Sequence, residues 1–339
     1  MQFYANPHKG EGEPVNTQLN TFPSVNAKAP RQLLERCPVF APTPLISKTA
    51  LGGRDAALFI KDERERMGVG SFKALGAAYV IAEAAQHNAQ EGITYVTASA
   101  GNHGISVAAG ANVFGAQAVI YLSHLVPKEF AARLEEHNAR VVWAGEDYAA
   151  SLEAAEQAAA DNGWTLLSDT SWDTYLDIPH RLMEGYAVMA AEVVEQIPAP
   201  PTHILLQAGV GGLASAAAAY FRAAWGDAPE IIVVEPDCAA ALFDSIKQGV
   251  LVTSDGPESS MGRLDCKTPS LIAYNGLKRD ADTFVVISDE DVEAVMPLLA
   301  ENGLETTPSG GATLAAYLKG IDDIDKTSRV LCIISEQAV

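Results

Sequence analysis

The sequence is poor in cysteine and in basic residues. Only four cysteines occur among 339 residues, at positions 37, 238, 266 and 332, and no two of them form a CxxC pair. This scatter argues against a disulfide framework or a zinc site and favours reduced thiols. Lysine and arginine total 23 against 43 aspartate and glutamate residues, so the formal net charge is −20. That balance excludes nucleic acids and anionic membrane surfaces as partners, because both favour a basic surface.

Long apolar runs are also missing. No stretch approaches the length of a membrane-spanning helix, and the first residues, "MQFYANPHKGEGEPVN", lack the charged and then apolar layout of a secretory signal. We therefore expect a cytoplasmic protein with no membrane partner. The hydrophobic content of 48% is enough to fill a sizeable core, in one large domain or two interleaved domains.

Short β-branched runs alternate with alanine-rich stretches along almost the whole chain. The runs typical of buried strands are "ALFIKDE", "ITYVTAS", "AVIYLS", "RVVWAG", "WTLLSD", "HILLQA", "EIIVVEP", "FVVIS" and "VLCIIS". The helical stretches between them include "KEFAARLEEHNA", "SLEAAEQAAADNG", "LMEGYAVMAAEVVEQI" and "DEDVEAVMPLLAENG". Such alternation predicts parallel sheets covered by helices on both faces. The first forty or so residues are proline-rich and polar, which predicts an arm wrapped over the body.

Two loops that follow predicted strands have unusual composition, and parallel sheets bind ligands at this end of their strands. "GVGGL" (209–213) opens a helix, where glycines let N–H groups approach an anion and the helix dipole adds partial positive charge. It indicates a phosphate cradle or, alternatively, close helix–strand packing. "SAGNHG" (99–104) could offer N–H groups, Ser99 and Asn102 to a carboxylate, or form only a tight turn. The histidine within it, His103, is more typical of packing than of catalysis.

Lys73, in "MGVGSFKALGAA", stands in the first turn of a predicted helix. A lysine there commonly extends to solvent. Alternatively, burial beside the positive helix end lowers the pKa of its amine, which suits a nucleophile that forms a Schiff base. Ser71 can cap the same helix and fix the orientation of the turn.

The motifs "SFKALGA", "SAGNHG" and "GVGGL" resemble, in this order, the lysine motif, the carboxylate loop and the phosphate loop of fold-type II pyridoxal-phosphate enzymes. That family includes threonine/serine dehydratases, serine racemases and cysteine synthases. The chain is most similar to diaminopropionate ammonia-lyases, through "APTPL", "IKDE", "QAGVGG", "VVEP" and "CKTPS", over roughly residues 41 to 336. The resemblance implies an α/β fold like that of the tryptophan synthase β subunit, with two parallel or mixed sheets and helices on both faces. It also implies a large cofactor-binding domain (1–70 and 165–339) and a small domain inserted in it (71–164).

The same resemblance implies roles for individual residues. Lys73 would bind pyridoxal 5'-phosphate covalently and, once displaced by the substrate, act as the base at Cα. Asn102 would hydrogen-bond the ring oxygen of the cofactor. Ser335 would face the pyridine nitrogen, with Ser309 as the alternative. The cofactor phosphate would be held by the backbone N–H groups of Gly209, Val210, Gly211, Gly212 and Leu213, and the substrate carboxylate by the loop of Ser99, Ala100, Gly101, Asn102 and His103.

Two positions bear on the substrate. Diaminopropionate ammonia-lyases carry an aspartate for the D-isomer immediately before Gly-Asn-His, and racemases carry a serine, whereas this chain has Ala100. We therefore expect selectivity for L-substrates and no racemase activity. The second aspartate of the family, implicated for the L-isomer, corresponds to Asp169, as an acid or base or merely as a turn residue. The sequence after Glu235 lacks the clustered acidic residues that some dehydratases use for a divalent cation, so no metal is predicted.

These features predict a carbon–nitrogen lyase of amino-acid metabolism, an ammonia-lyase or dehydratase. It would perform α,β-elimination on an L-amino acid with a β-amino or β-hydroxyl leaving group, giving a 2-oxo acid and ammonia. L-2,3-diaminopropionate and L-threo-β-hydroxy amino acids such as phenylserine, serine or threonine are the candidate substrates. The alternatives are a β-replacement transferase of the cysteine-synthase type and a catalytically silent ligand sensor. Because the family commonly forms homodimers, we expect a homodimer.

Overall fold

The chain folds around two β-sheets in a computed structural model, which describes residues 1–338. The strands are β1 (Gln2–Ala5), β2 (Leu45–Lys48), β3 (Ala57–Asp62), β4 (Thr94–Ala98), β5 (Gln117–Leu122), β6 (Arg140–Trp143), β7 (Thr165–Leu166), β8 (His203–Gln207), β9 (Glu230–Pro236), β10 (Thr283–Ile287) and β11 (Arg329–Ile334). The helices are α1 (Lys28–Leu34), α2 (Lys73–His87), α3 (Asn102–Val113), α4 (Glu129–Glu135), α5 (Tyr148–Asn162), α6 (Asp177–Gln196), α7 (Gly212–Trp225), α8 (Ala241–Gln248), α9 (Leu271–Asp280), α10 (Asp289–Glu293), α11 (Met296–Glu301) and α12 (Pro308–Lys319).

The larger sheet has seven strands in the order β1-β10-β9-β8-β11-β3-β2. Its five inner strands are parallel, and the two edge strands are antiparallel to their neighbours. All nine strands predicted from the sequence are present in the two sheets, which confirms the predicted α/β class. The edge strands β1 and β2 were not predicted, because neither is buried like the inner strands of this sheet. The N-terminal arm therefore closes one edge of the sheet by pairing β1 with β10.

The smaller sheet has four parallel strands in the order β6-β5-β4-β7. All of them lie between residues 94 and 166. The division into a large domain and an inserted small domain stays a prediction. Because β7 pairs with β4, the C-terminal boundary of the small domain would lie just beyond Leu166 and not at residue 164.

One predicted helix is broken in two. The segment "DEDVEAVMPLLAENG" forms α10 and α11, with Pro297 in the first turn of α11. Proline has no N–H to continue the hydrogen bonds of α10, so a new helix starts there. No helix in the part of the chain that the structure describes combines the length and apolarity needed to cross a membrane.

Helix α6 lies against both α2 and α7. The two helices α6 and α2 approach closely because Gly185 on α6 lies against Gly76 on α2. A Cβ on Gly185 would lie 2.7 Å from the Cα of Gly76. Any larger residue at either position would force the helices apart. Helix α6 thus ties together the helices that begin at Lys73 and at Gly212.

Candidate active site

Lys73 and Asp169 form an ion pair that joins two segments distant in the chain. Lys73 is the first residue of α2, and Asp169 follows β7 in the loop that leads to α6. The Nζ of Lys73 donates a hydrogen bond to Oδ2 of Asp169, and less than a fifth of each side chain is exposed. The aromatic rings of Phe72 and Tyr186 flank the ammonium group, with centroids 5.1 and 5.6 Å from Nζ. The structure therefore brings together the two residues predicted to be catalytic.

The charges of the pair hold each other in the ionised form. Burial is the largest single influence on the pKa of Lys73 and lowers it, but the charge of Asp169, its hydrogen bond and the nearby Tyr186 and Cys266 together leave the net pKa well above its ordinary value. Burial likewise raises the pKa of Asp169, and the charge of Lys73, its hydrogen bond and the nearby His103 together leave that pKa well below its ordinary value. The lowered lysine pKa predicted from the sequence is therefore wrong for this state, because Asp169 compensates the burial. Burial raises the pKa of the neighbouring Tyr186 and Cys266 to about 12, so both are neutral.

The turn before α2 departs from the prediction in one detail. Phe72, and not Ser71, is the N-cap residue of the helix. The Oγ of Ser71 instead accepts a hydrogen bond from the N–H of Lys73 at 3.3 Å. Ser71 still orients the first turn, but from one residue further out than an N-cap residue would.

A buried ion-pair network holds the segment that leads to Lys73. Lys61 at the end of β3 and Arg66 in the following turn both contact Oε2 of Glu192 on α6, at 2.6 and 2.7 Å. Arg66 also donates to Glu63 at 2.7 Å. None of these four side chains is more than 1% exposed. Because removing one partner would leave an unpaired buried charge, this network holds the lysine segment tightly against α6.

The glycine loop at the start of α7 leaves several donors free. Gly211 is the N-cap residue with φ +94°, and no side chain caps the helix. Within residues 1–338 nothing accepts a hydrogen bond from the N–H groups of Gly211, Gly212 and Leu213. A Cβ on Gly209 would come within 3.0 Å of the Cys266 sulfur, so only glycine fits there. Free N–H groups at a helix N-terminus suit a phosphate group.

Val210 anchors this loop to its surroundings. Its carbonyl accepts a hydrogen bond from the N–H of Ser270 at 3.0 Å. The thiol of Cys266 lies near enough to Lys73 and Asp169 for their charges to act on its pKa, and its sulfur lies beside Gly209. Cys266 therefore lies between the glycine loop and the Lys73–Asp169 pair.

The predicted carboxylate loop joins β4 to α3. Its Gly101 N–H bonds back to Oγ of Ser99 at 3.3 Å, and Ala100 lies exposed between them. The Nε2 of His103 lies 2.7 Å from the carbonyl oxygen of Leu167, while Nδ1 is buried without a partner among residues 1–338. Burial lowers the pKa of this histidine. A neutral ring then donates from Nε2 to the carbonyl, which matches the packed role predicted for His103.

Asn102 makes a contact that sequence reasoning missed. Its Nδ2 donates to Oε2 of Glu336 at 2.5 Å, and Glu336 is only 3% exposed. The other oxygen, Oε1, accepts a hydrogen bond from Thr307 and pairs with Nη1 of Arg263 at 3.0 Å. The sequence offered one indication of this contact, because Glu336 is a charged residue that closely follows the buried strand β11. Nothing local indicated that Arg263, 73 positions earlier, would reach it.

Ser335 and Ser309, the two candidates for the pyridine nitrogen, are both buried. The Oγ of Ser309 accepts a hydrogen bond from the N–H of Arg263 at 3.1 Å. In that contact Ser309 uses its oxygen only as an acceptor, so its O–H can still donate to a ligand. The hydrogen bonds therefore do not separate the two serines, and Ser335 stays the prediction.

The arrangement fits the predicted cofactor. It offers a primary amine for covalent attachment, free N–H groups at a helix start for a phosphate, and a buried carboxamide for a ring oxygen. Among residues 1–338 no three His, Cys, Asp or Glu side chains lie close enough together to hold a metal ion. The absence of a metal stays a prediction.

Comparison with protein families matches residues 37–336 to the family described as "Pyridoxal-phosphate dependent enzyme". Among curated proteins, the diaminopropionate ammonia-lyase of Escherichia coli (strain K12) is 31% identical over 291 residues, covering 79% of this chain and 73% of that protein. A serine dehydratase-like protein of Rattus norvegicus is 29% identical over 282 residues, covering 82% of each.

Solved structures of related enzymes superpose on most of the chain. The crystal structure of diaminopropionate ammonia-lyase from Escherichia coli in complex with D-serine superposes with a TM-score of 0.87 and 28% identity, covering 99% of this chain and 93% of that chain. The processed form of threonine deaminase isoform 2 from Solanum lycopersicum superposes with a TM-score of 0.83 at 19% identity, covering 100% of this chain and 94% of that one. At that identity the second match bears on the fold alone.

Proposed function

The chain belongs to the family of pyridoxal-phosphate-dependent enzymes, with pyridoxal phosphate as its cofactor, and we propose that it is an ammonia-lyase for L-amino acids. The reaction is α,β-elimination of a β-amino or β-hydroxyl group, with a 2-oxo acid and ammonia as products. The contact between Lys73 and Asp169 carries the proposal, because it places an amine and a carboxylate together at one point. Such a pair can take a proton from Cα and deliver one to a leaving group.

The same residues that the resemblance indicated would hold the cofactor. Lys73 would attach it covalently, the N–H groups of Gly209 to Leu213 would bind its phosphate, and Asn102 would donate to its ring oxygen. Ser335 offers a neutral hydroxyl to the pyridine nitrogen. When bound, pyridoxal phosphate supplies the electron sink that accepts the electron pair of the broken Cα–H bond.

The chain's own groups move the protons. With cofactor and substrate bound, the Nζ of Lys73 would accept the proton from Cα. Oδ2 of Asp169 lies in hydrogen-bond contact with Nζ, so it shares that proton and can pass one to the departing β-amino or β-hydroxyl group. The N–H groups of the loop 99–103 hold the substrate carboxylate and so orient the Cα–H bond toward Nζ.

Selectivity for the L-isomer follows from Ala100. Its methyl group lies exposed in the carboxylate loop and can neither donate nor accept a proton. Protons on the opposite face of Cα therefore have no acceptor at this position. L-2,3-diaminopropionate and L-β-hydroxy amino acids such as threo-phenylserine, serine and threonine fit the proposal.

A substrate panel tests this function. Purified holoenzyme is incubated with the L- and D-forms of 2,3-diaminopropionate, serine, threonine and threo-phenylserine, and ammonia and 2-oxo acid are measured. We expect both products from at least one L-substrate and neither from its D-form. A parallel reaction contains O-acetyl-L-serine with sulfide.

Two results would contradict the proposal. Faster formation of cysteine than of any 2-oxo acid would identify a β-replacement transferase. A protein that takes up the cofactor but turns over no member of the panel would favour a ligand sensor.

A further inference from the structure

Glu336 connects four separate segments of the active site. Its carboxylate bonds to Asn102 through Oε2, and to Thr307 and Arg263 through Oε1. Its backbone forms an antiparallel bridge to Ser71, two residues before Lys73. Asp169, by comparison, contacts Lys73 alone among charged partners in residues 1–338.

The backbone around Glu336 fixes its position. The N–H of Gln337 donates to the carbonyl of Gly70 at 2.9 Å, and the N–H of Phe72 donates to the carbonyl of Ser335 at 3.2 Å. The hydroxyl of Thr306 donates to the carbonyl of Glu336 at 2.6 Å. The segment before α2 and the hydroxyl of Thr306 therefore both hold the backbone of Glu336. Its side chain consequently has little freedom to move away from Asn102.

The contact decides how Asn102 is oriented. An ionised carboxylate only accepts hydrogen bonds, so the group of Asn102 that faces it must be the NH₂ and not the carbonyl oxygen. Burial raises the pKa of Glu336, and the charge of Arg263 and the hydrogen bond from Thr307 offset only part of that shift. The ion pair with Arg263 at 3.0 Å is the contact that favours the ionised carboxylate. One N–H of Asn102 is used by Glu336, and the second remains for a ligand.

We propose that Glu336 is a positioning residue for the cofactor: it fixes the carboxamide of Asn102 so that its second N–H faces the ring oxygen. The inference rests on the assignment of Asn102 to that oxygen, and it does not depend on which amino acid the enzyme consumes. Asn102 alone could rotate by half a turn and present its carbonyl oxygen, which would repel the ring oxygen. Glu336 removes that alternative.

A double-mutant cycle tests the proposal. Glu336→Gln, Asn102→Ala and the double variant are prepared, and two properties are measured: the dissociation constant of pyridoxal phosphate and the pH-dependent absorbance of the bound cofactor. In the Asn102-containing protein, Glu336→Gln should weaken cofactor binding about tenfold and move the pH midpoint of the absorbance change. In the Asn102→Ala background the same substitution should change either property less than about twofold.

The control is Glu305→Gln, which removes the same charge from an exposed side chain nearby and should leave both properties unchanged. Equal effects of Glu336→Gln in both backgrounds would overturn the proposal. So would an unchanged absorbance profile combined with a lowered unfolding temperature, which marks a purely structural role.

If Glu336→Gln does not fold, Arg263→Gln provides the second route, because it loosens Glu336 without removing it. It should weaken cofactor binding in the same direction, and no change in binding would count against the proposal. All these readouts concern the cofactor. Failure of the substrate panel with intact spectra would therefore overturn the proposed function and leave this inference standing.

Discussion

The ammonium group of Lys73 bonds directly to the carboxylate of Asp169, 96 residues further along the chain. Each charge offsets the burial of the other, so neither group is activated while the pair is intact. Covalent attachment of the cofactor would require the neutral amine of Lys73, and the ion pair with Asp169 opposes that form as long as it is intact.

Replacement of Lys73 tests this directly. Lys73→Ala should abolish the visible absorbance of covalently bound cofactor and reduce turnover by several orders of magnitude, because no other amine occupies the site. Lys73→Arg is the matched control for charge, since it keeps a cation beside Asp169 but forms no Schiff base. It should also lack both properties. Elimination at a near wild-type rate in either variant would contradict the role of Lys73.

Asp169→Asn should lower kcat for elimination from L-substrates by about 10²–10⁴-fold while the absorbance of bound cofactor persists. The pKa of Lys73 should fall in the apoprotein, because burial then acts without a neighbouring charge. The matched control is Asp173→Asn, an exposed carboxylate four residues further on, which should behave like wild type. Unchanged steady-state kinetics in Asp169→Asn would reduce Asp169 to a structural residue.

Ala100→Asp should add a proton acceptor to the opposite face of the substrate. We expect at least about a tenfold rise in 2-oxo acid release from D-substrates, with turnover of the L-form largely retained. Ala100→Ser should instead introduce racemisation, measured by chiral chromatography of the remaining substrate. Wild-type protein that already consumes D-substrates at the L-rate would disprove the proposed basis of selectivity.

Glu192→Gln should destabilise the protein by about 3–5 kcal/mol, because Lys61 and Arg66 would lose a buried counter-charge. The free energy of unfolding in urea measures the effect. Glu195→Gln is the control on the same helix: its carboxylate is 56% exposed and pairs with Arg31 at the surface, so its loss should cost less than about 1 kcal/mol. Equal losses in the two variants would show that the network contributes no special stability.

Stability should also fall with rising pH because of Glu235. Burial raises the pKa of its carboxyl group to about 8, although the N–H groups of Leu242 and Phe243 both donate to it. The folded state then binds a proton that the unfolded state releases, so this contribution is full below about pH 4.5 and lost as the pH rises through 8.

Glu235→Gln should therefore flatten the dependence of unfolding free energy on pH between 5.5 and 8.5, which in wild type amounts to roughly a few kcal/mol. Urea titrations at four pH values measure it. Asp237→Asn, an exposed neighbour, should keep the wild-type slope. An identical slope in Glu235→Gln would show that the carboxyl group is ionised throughout this range.

The fold was predictable from the sequence where a strand is buried on both faces. The runs "HILLQA" and "EIIVVEP" are continuous and apolar, and they form inner strands β8 and β9. Strand β1 could not be found in this way, since three of its four residues are exposed and only its pairing with β10 defines it. The local pattern of apolar residues predicts which segments are buried. An edge strand, in contrast, is defined by its pairing with a strand elsewhere in the chain.

The site was predictable in part for a similar reason. Lys73, Asn102 and the glycine loop each stand in a recognisable local motif, and Cys266 and Glu336 lie between them in the folded chain. The raised pKa of Lys73 depends on Asp169, which is 96 residues away. The hydrogen bond that holds Asn102 is accepted by Glu336, which is 234 residues away. No window of sequence contains both members of such a pair, so charge compensation is visible only in the folded chain.

The position of β11 has a consequence for synthesis of the protein. This strand, residues 329–334, lies between β8 and β3 in the middle of the large sheet. During translation β3 is made early, yet its parallel neighbour leaves the ribosome some 270 residues later. A nascent chain must therefore keep two apolar strand edges unpaired until residues 329–334 emerge, and Glu336 emerges just after them. Chaperone dependence and slow appearance of cofactor-binding capacity should accompany its synthesis.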